Sequence, residues 1–144
     1  MKKLKQKHSN DNDVNSHNKM SLDQFYTTDE CAKKYYDIFA SKVNINNYDI
    51  VLEPSAGTGS FYKLIPSHKR VGFDLEPKYK GIEKKNFFDF VPTENASYVV
   101  IGNPPFGKIS SLAVDFFNKA AEFAAIIAFI LPRTFKRVSI QNQL

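Results

Sequence analysis

Apolar residues recur along this chain in two alternating rhythms. After a polar stretch without any apolar period (residues 1–21), Ala32, Tyr35, Tyr36 and Phe39 fall at helical spacing and predict one amphipathic helix as far as Ser41. Thr27-Thr28-Asp29-Glu30 precedes it in the form of a capping box, with Thr27 accepting from the backbone and Glu30 reaching back. Residues 48–52 are a short apolar run with the composition of a buried strand. Gly57-Thr58-Gly59 makes a turn into a short helix over residues 60–65, which Pro66 stops. Residues 70–74 read as a second strand, 86–91 as a third strand or strand end, and 97–102 as a stronger one closed by Asn103-Pro104-Pro105. Ser110 or Ser111 caps a helix carrying Leu112, Ala113, Phe116, Phe117, Ala120 and Ala121 on one face, and an apolar strand over 125–131 ends at Pro132.

Strands that alternate with helices and are apolar on both faces predict an α/β fold with a doubly wound, mostly parallel sheet. Its expected extent is residues 22–144, behind a flexible basic and polar leader at 1–21. In such sheets ligands bind at the carboxyl ends of the strands, where the strand order reverses. Glu53 with the glycine loop, Asp74, Asp89 and Asn103 all fall at predicted strand carboxyl ends.

Composition narrows the classes of function. Of 144 residues 42% are hydrophobic and 13 are Phe, enough for one core. No apolar run approaches the roughly 18–20 residues of a membrane span, and polar residues stand where a secretory signal would be apolar. The expected location is therefore the cytoplasm, with the nucleus left open. The single cysteine, Cys31, excludes an internal disulfide and a Cys-rich metal cage and is read as a packing residue of the first helix. His8 and His17 have no companions at ligand spacing, so no metal site is expected. The formal charge of +5 is compatible with a polyanionic partner, but +3 of it lies in residues 1–20.

Two motifs carry chemistry. In Glu53-Pro54-Ser55-Ala56-Gly57-Thr58-Gly59 the glycines permit tight turns and close approach of a ligand to backbone. Asp74 ends the next strand, at a spacing suited to a carboxylate that accepts from both hydroxyls of an adenosine ribose. The third glycine of a dinucleotide fingerprint would fall at Tyr62, and no Gly-Lys-Ser/Thr follows, so a nucleoside without pyrophosphate is favoured. In Asn103-Pro104-Pro105-Phe106 the two prolines fix the backbone and remove two N–H donors. The Asn103 side-chain oxygen and the Pro104 carbonyl can then converge on an amino group with two hydrogens, with Phe106 stacking on a planar substrate. Two acceptors drawing on those hydrogens favour a nucleophilic amine during methyl transfer, with neither a metal nor a covalent intermediate. A rigid strand-to-helix turn is the structural alternative for the diproline, as a plain turn is for the glycine loop.

Together these motifs resemble the class I S-adenosylmethionine-dependent methyltransferases, a Rossmann-like group, and among them the N6-adenine type. Asn103-Pro104-Pro105-Phe106 is similar to that group's catalytic (Asp/Asn/Ser)-Pro-Pro-(Tyr/Phe/Trp) motif, and residues 53–61 to its cofactor loop. Phe25-Tyr26-Thr27-Thr28 is similar to its Phe-x-Thr-Pro segment, with Thr28 in place of proline. Asp74 and the segment 86–90 resemble its acidic positions. Over residues 22–137 the resemblance implies an N6-adenine methyltransferase acting on DNA or RNA with S-adenosylmethionine as cofactor. It implies catalytic roles for Asn103, Pro104, Pro105 and Phe106. Cofactor contacts are implied for Phe25, Tyr26, Thr27, Glu53, Ser55, Ala56, Gly57 and Gly59, with Asp74 on the ribose and Asp89 with Phe90 on the adenine. A target inside a duplex would be rotated out of its stack. Lys84-Lys85 and Lys136-Arg137 are candidates for phosphate contact.

The family sheet has seven strands, and here five are found, so the fold is expected to be truncated before the last two. A missing C-terminal region or a protein partner would complete it, the fifth strand offering an unpaired edge. The alternatives are methylation of protein glutamine, whose amide also presents an NH₂, and an inactive methyltransferase-like assembly subunit.

Overall fold

The computed structural model describes residues 26–144; the leader at 1–21, His8, His17 and Phe25 lie outside them. Five parallel strands form one open sheet: β1 (Ile50–Glu53), β2 (Arg70–Asp74), β3 (Glu83–Lys84), β4 (Tyr98–Gly102) and β5 (Ala124–Phe129), in the order β3-β2-β1-β4-β5. The doubly wound prediction is met. From β1 the chain moves outward through β2 and β3, then returns to β4 on the other side, so the order reverses between β1 and β4. That places a crevice at their carboxyl ends, between Glu53 and Asn103.

Period-two alternation distributes the strand residues over two cores. Val51, Val99 and Ile101 face α1 (Asp29–Ala40) and meet Ala32, Phe61 and Ile65. Leu52, Phe73, Tyr98 and Val100 face the other way, against Phe87 and against Phe116 and Ala120 of α2 (Ser111–Ala121). Much of the second core is aromatic. Phe90 lies 5.1 Å from Phe73, 5.5 Å from Phe123 and 5.9 Å from Tyr98, centroid to centroid, in tilted or edge-on contacts that add about 0.5–1.5 kcal/mol per pair beyond burial. No described helix is long and apolar enough to cross a membrane.

Several expectations are corrected. The cap of α1 is Thr28, whose hydroxyl accepts from the Cys31 N–H at 3.2 Å, because Thr27 is engaged with Asn103. The segment after the glycine loop is a 3₁₀ turn, Tyr62–Leu64. Its Tyr62 ring fills the space above Gly72, where a Cβ would approach to 2.7 Å, and its hydroxyl donates to the Gly81 carbonyl at 2.9 Å. A bulky plug where a dinucleotide site needs glycine leaves no room for a close-packed helix. The third strand is the pair Glu83–Lys84, and residues 87–89 form a 3₁₀ turn instead of a strand. The Asn86 side chain, accepting from the Phe88 N–H at 3.2 Å, ends the extended run early. Beyond β5 the chain forms a further turn, Arg133–Lys136, and α3 (Val138–Gln141), which the sequence reading left unassigned.

Candidate active site

A cleft of about 160 Å³ opens at the β1/β4 crevice. Its first wall is the glycine loop. Gly57 sits at φ +47°, and its N–H donates to Asp74 Oδ2 at 2.7 Å while Glu76 N–H donates to Oδ1 at 2.8 Å. Both carboxylate oxygens are thereby aimed by backbone donors, with lone pairs to spare for further donors. The Ala56 N–H reaches the Phe73 carbonyl at 2.8 Å and the Lys78 N–H reaches the Gly57 carbonyl at 3.0 Å, tying the loop to β2 and to the chain beyond it. Tyr26 closes over Gly57, its ring 3.3 Å from where a Cβ would stand, and its hydroxyl accepts from Lys78 Nζ at 2.6 Å. The loop is also clamped to α1: Ser60 Oγ donates to Asp29 Oδ1 at 2.9 Å and Lys63 Nζ to Oδ2 at 2.5 Å. Lys63 and Ser60 together hold the Asp29 carboxyl below its usual range.

The opposite wall is the Asn103 corner. Asn103 Nδ2 donates to Thr27 Oγ1 at 3.1 Å, which orients the carboxamide by its nitrogen and makes its oxygen the accepting end. Ser55 Oγ donates to the Asn103 carbonyl at 3.4 Å, linking the two walls. Pro104 is fully buried. Phe106 lines the cleft and packs on its far side against the cluster of Ala113, Val114, Phe135 and Ile140.

Glu53 forms part of the lining and is 3% exposed, and its Oε2 has no hydrogen-bond partner among the described residues. Burial drives its carboxyl pKa well up. The Tyr62 backbone N–H opposes that shift, and the nearby Asp74 charge adds to it. Room for this side chain comes from Gly102 at φ +145°, where a Cβ would stand 3.2 Å from Glu53 Cγ. A buried acceptor without a partner, set in a cleft, suits a cationic ligand.

The structure brings together in this cleft Tyr26, Thr27, Glu53, Ser55, Ala56 and Gly57 with Asp74 and residues 103–106. Three of the sequence-predicted contacts lie elsewhere. Gly59 is buried at φ +79° under the Tyr79 ring, where a Cβ would meet Cγ at 2.7 Å, so its place is inside the loop and not on the cleft surface. Asp89 is exposed and Phe90 belongs to the aromatic core; neither lines the cleft. The corresponding wall is Asn86, Phe87 and Phe88, faced by Leu75. Sequence reasoning missed these four, although the Asx pattern of Asn86 two residues before Phe88 was a signal that the strand had ended. Lys85 also lines the cleft, stacked 5.1 Å over Phe73 and 3.8 Å from Glu83. Among the described residues no group of three or more His, Cys, Asp or Glu could hold a metal.

The lining offers a buried carboxyl oxygen at Glu53, a backbone-anchored carboxylate at Asp74 and an apolar side at Leu75 and Phe88, a set that a ligand carrying a cation, a diol and a flat ring would match. No family model matches the sequence, and neither a curated protein nor a solved structure matches it. The fold is Rossmann-like α/β, and its parallel order β3-β2-β1-β4-β5 is the strand order of the class I S-adenosylmethionine-dependent methyltransferases.

Proposed function

We propose that this chain is an S-adenosylmethionine-dependent methyltransferase whose target is the exocyclic amino group of adenine in DNA or RNA. The observation that carries the reading is the meeting, in one cleft at the strand-order reversal, of the Asp74-anchored glycine loop with the Thr27-oriented Asn103 corner. Asp74 would receive the ribose hydroxyls, Glu53 the positive end of the cofactor, and Leu75 with Phe88 the two faces of its adenine. Asn86 takes the polar position assigned from sequence to Asp89. When bound, the cofactor supplies an electrophilic methyl group on sulfur.

The protein's own contribution is to the amine. Its lone pair is delocalised into the purine, and two acceptors on its hydrogens, the Asn103 side-chain oxygen and the Pro104 carbonyl, favour the pyramidal form as charge develops on nitrogen. Rigid prolines keep these acceptors in place before the substrate arrives, so little reorganisation accompanies the reaction. Phe106, braced from behind, stacks on the target base.

Tritiated methyl transfer to DNA, RNA and a protein extract, with Asn103→Ala as the control, tests the proposal. Label is expected in nucleic acid and to be lost in the variant. Label in protein instead would support glutamine methylation. Failure to bind S-adenosylmethionine in a calorimeter would leave the assembly role.

A further inference from the structure

Immediately beyond the Asn103 corner the backbone is strained. Gly107 has φ +66°, Ile109 φ +53° and Ser110 φ +64°. Glycine adopts such angles readily, but a β-branched residue in the left-handed region is a true outlier and needs surroundings that hold it there. Beside it is Ser110, 4% exposed, whose Oγ shares a hydrogen bond with Thr134 Oγ1 at 2.5 Å. That bond fastens the turn Lys108–Ser110 to the turn Arg133–Lys136. The strain serves no burial of the residue that bears it: Ile109 is 80% exposed.

The two turns that this bond fastens together are rich in cations. Lys108 precedes Ile109, and Arg133, Lys136 and Arg137 belong to the fastened turn or follow it. None of the four makes an ion pair with another described residue, a property they share with Lys34, Lys42, Lys80 and Lys84; what sets them apart is their place on two turns fastened together. Residues 123–144 contain no Asp or Glu. The same segment carries Phe135, which sits in the cluster that backs Phe106, so the basic residues border the wall that takes the target base.

We infer that the turn 107–110 is a wedge: Ile109 enters the base stack beside the extruded adenine while Lys108, Arg133, Lys136 and Arg137 take the flanking phosphates. An apolar side chain inserted between base steps offsets part of the stacking lost when a base leaves the helix, and cations without internal partners are suited to a backbone of repeated phosphates. This rests on the nucleic-acid reading of the cleft and names the surface through which it would act.

The test uses the whole chain and three probes, a fluorescent 20-base-pair DNA duplex containing adenines, the same sequence as duplex RNA, and polyglutamate. Calorimetry with S-adenosylmethionine runs in parallel. Ile109→Gly relieves the strained angle, so it is expected to fold at least as well as the parent and to keep cofactor affinity within about twofold. Its duplex affinity is expected to fall about fivefold or more, and that of Ile109→Leu much less. Neutralising Lys108, Arg133, Lys136 and Arg137 together is expected to lower duplex affinity at least tenfold and to flatten its salt dependence. DNA and RNA arms tell which polymer is preferred. Unchanged duplex binding by Ile109→Gly overturns the wedge. Equal binding of polyglutamate, or no duplex binding by a chain that still binds cofactor, overturns the nucleic-acid surface alone. Loss of cofactor binding by the parent chain overturns the methyltransferase reading beneath both.

Discussion

On the β2 side of the cleft, position is set by the main chain. Backbone N–H groups of Gly57, Ala56 and Lys78 lock the glycine loop to Asp74, to the Phe73 carbonyl and to the chain beyond β2, and that of Glu76 holds the second Asp74 oxygen. On the β4 side the Asn103 corner is shaped by proline rings and by side-chain hydrogen bonds, among them those from Asn103 Nδ2 to Thr27 and from Ser55 to the Asn103 carbonyl, and it opens directly into a strained, exposed turn. A wall whose donors are main-chain groups tolerates changes in the donors' side chains but neither a change of backbone shape nor the loss of the Asp74 carboxylate they meet. The other wall tolerates neither the loss of its single amide nor the loss of the residue that aims it.

The largest effect is therefore expected at Asn103. Asn103→Ala removes one of the two acceptors proposed for the target amine, and losing one preorganised polar group typically lowers kcat by about 10²–10³-fold. Affinity for S-adenosylmethionine, measured by calorimetry, should stay within a few-fold because the β2 wall is untouched. Equal losses in kcat and cofactor affinity would show that the two walls are not separable.

Next in size is a backbone change in the other wall. Gly59→Ala places a Cβ 2.7 Å from Tyr79 Cγ at a φ of +79°. Overpacking of this kind costs about 1–3 kcal/mol, with strain added by the left-handed angle. Thermal unfolding should show a lowered Tm, and cofactor affinity should fall with it. Adding Tyr79→Ala should return part of the loss by removing the clash but not the strain. No recovery would mean that the angle alone decides.

The same contrast explains what was legible in the sequence. Parallel sheet, glycine loop and diproline corner were readable because glycine, proline and β-branched runs act through local sterics. The register of the cleft wall after β3 was not. Asp89 looked like the polar residue at a strand end, but Asn86 caps a turn three residues earlier, which sends Phe90 into contact with Phe73 and Tyr98. Thr27 and Thr28 are equally good caps by composition, and a partner 76 residues away, Asn103, decides which one caps α1. The strain at Ile109 has no compositional signal at all; it stands beside a contact between residues 24 apart in sequence, Ser110 and Thr134.

A smaller and pH-dependent effect is expected at Glu53. Its folded-state pKa is raised by burial, so the folded protein holds a proton that the unfolded chain releases. Stability should then fall as pH rises from the unfolded value, near 4.5, toward the raised folded one. Glu53→Gln should match the parent in acid and exceed it in Tm near neutrality. Affinity for the cationic cofactor should move the opposite way in the parent, increasing as the carboxyl ionises. In the variant it should be flat across the same range. A parent whose cofactor affinity ignores pH would remove Glu53 from the cationic subsite.

The subtlest expectation concerns aim. Thr27 touches Asn103 through its hydroxyl, which accepts from Nδ2 at 3.1 Å, and Thr27→Val keeps the shape while removing that acceptor. Thr28, which caps α1, is unchanged, so Tm should move by only about 0.5–1.5 kcal/mol equivalent, the net contribution of one hydrogen bond. Nδ2 then loses the hydroxyl that helps to aim the carboxamide, so kcat should fall several-fold, well short of the Asn103→Ala loss. Thr27→Ser, which restores the hydroxyl, should recover most of it. A double variant, Thr27→Val with Asn103→Ala, should be no slower than Asn103→Ala alone, since aim has no meaning once the aimed group is gone. Additive losses in that cycle would instead place Thr27 in contact with the substrate or cofactor in its own right.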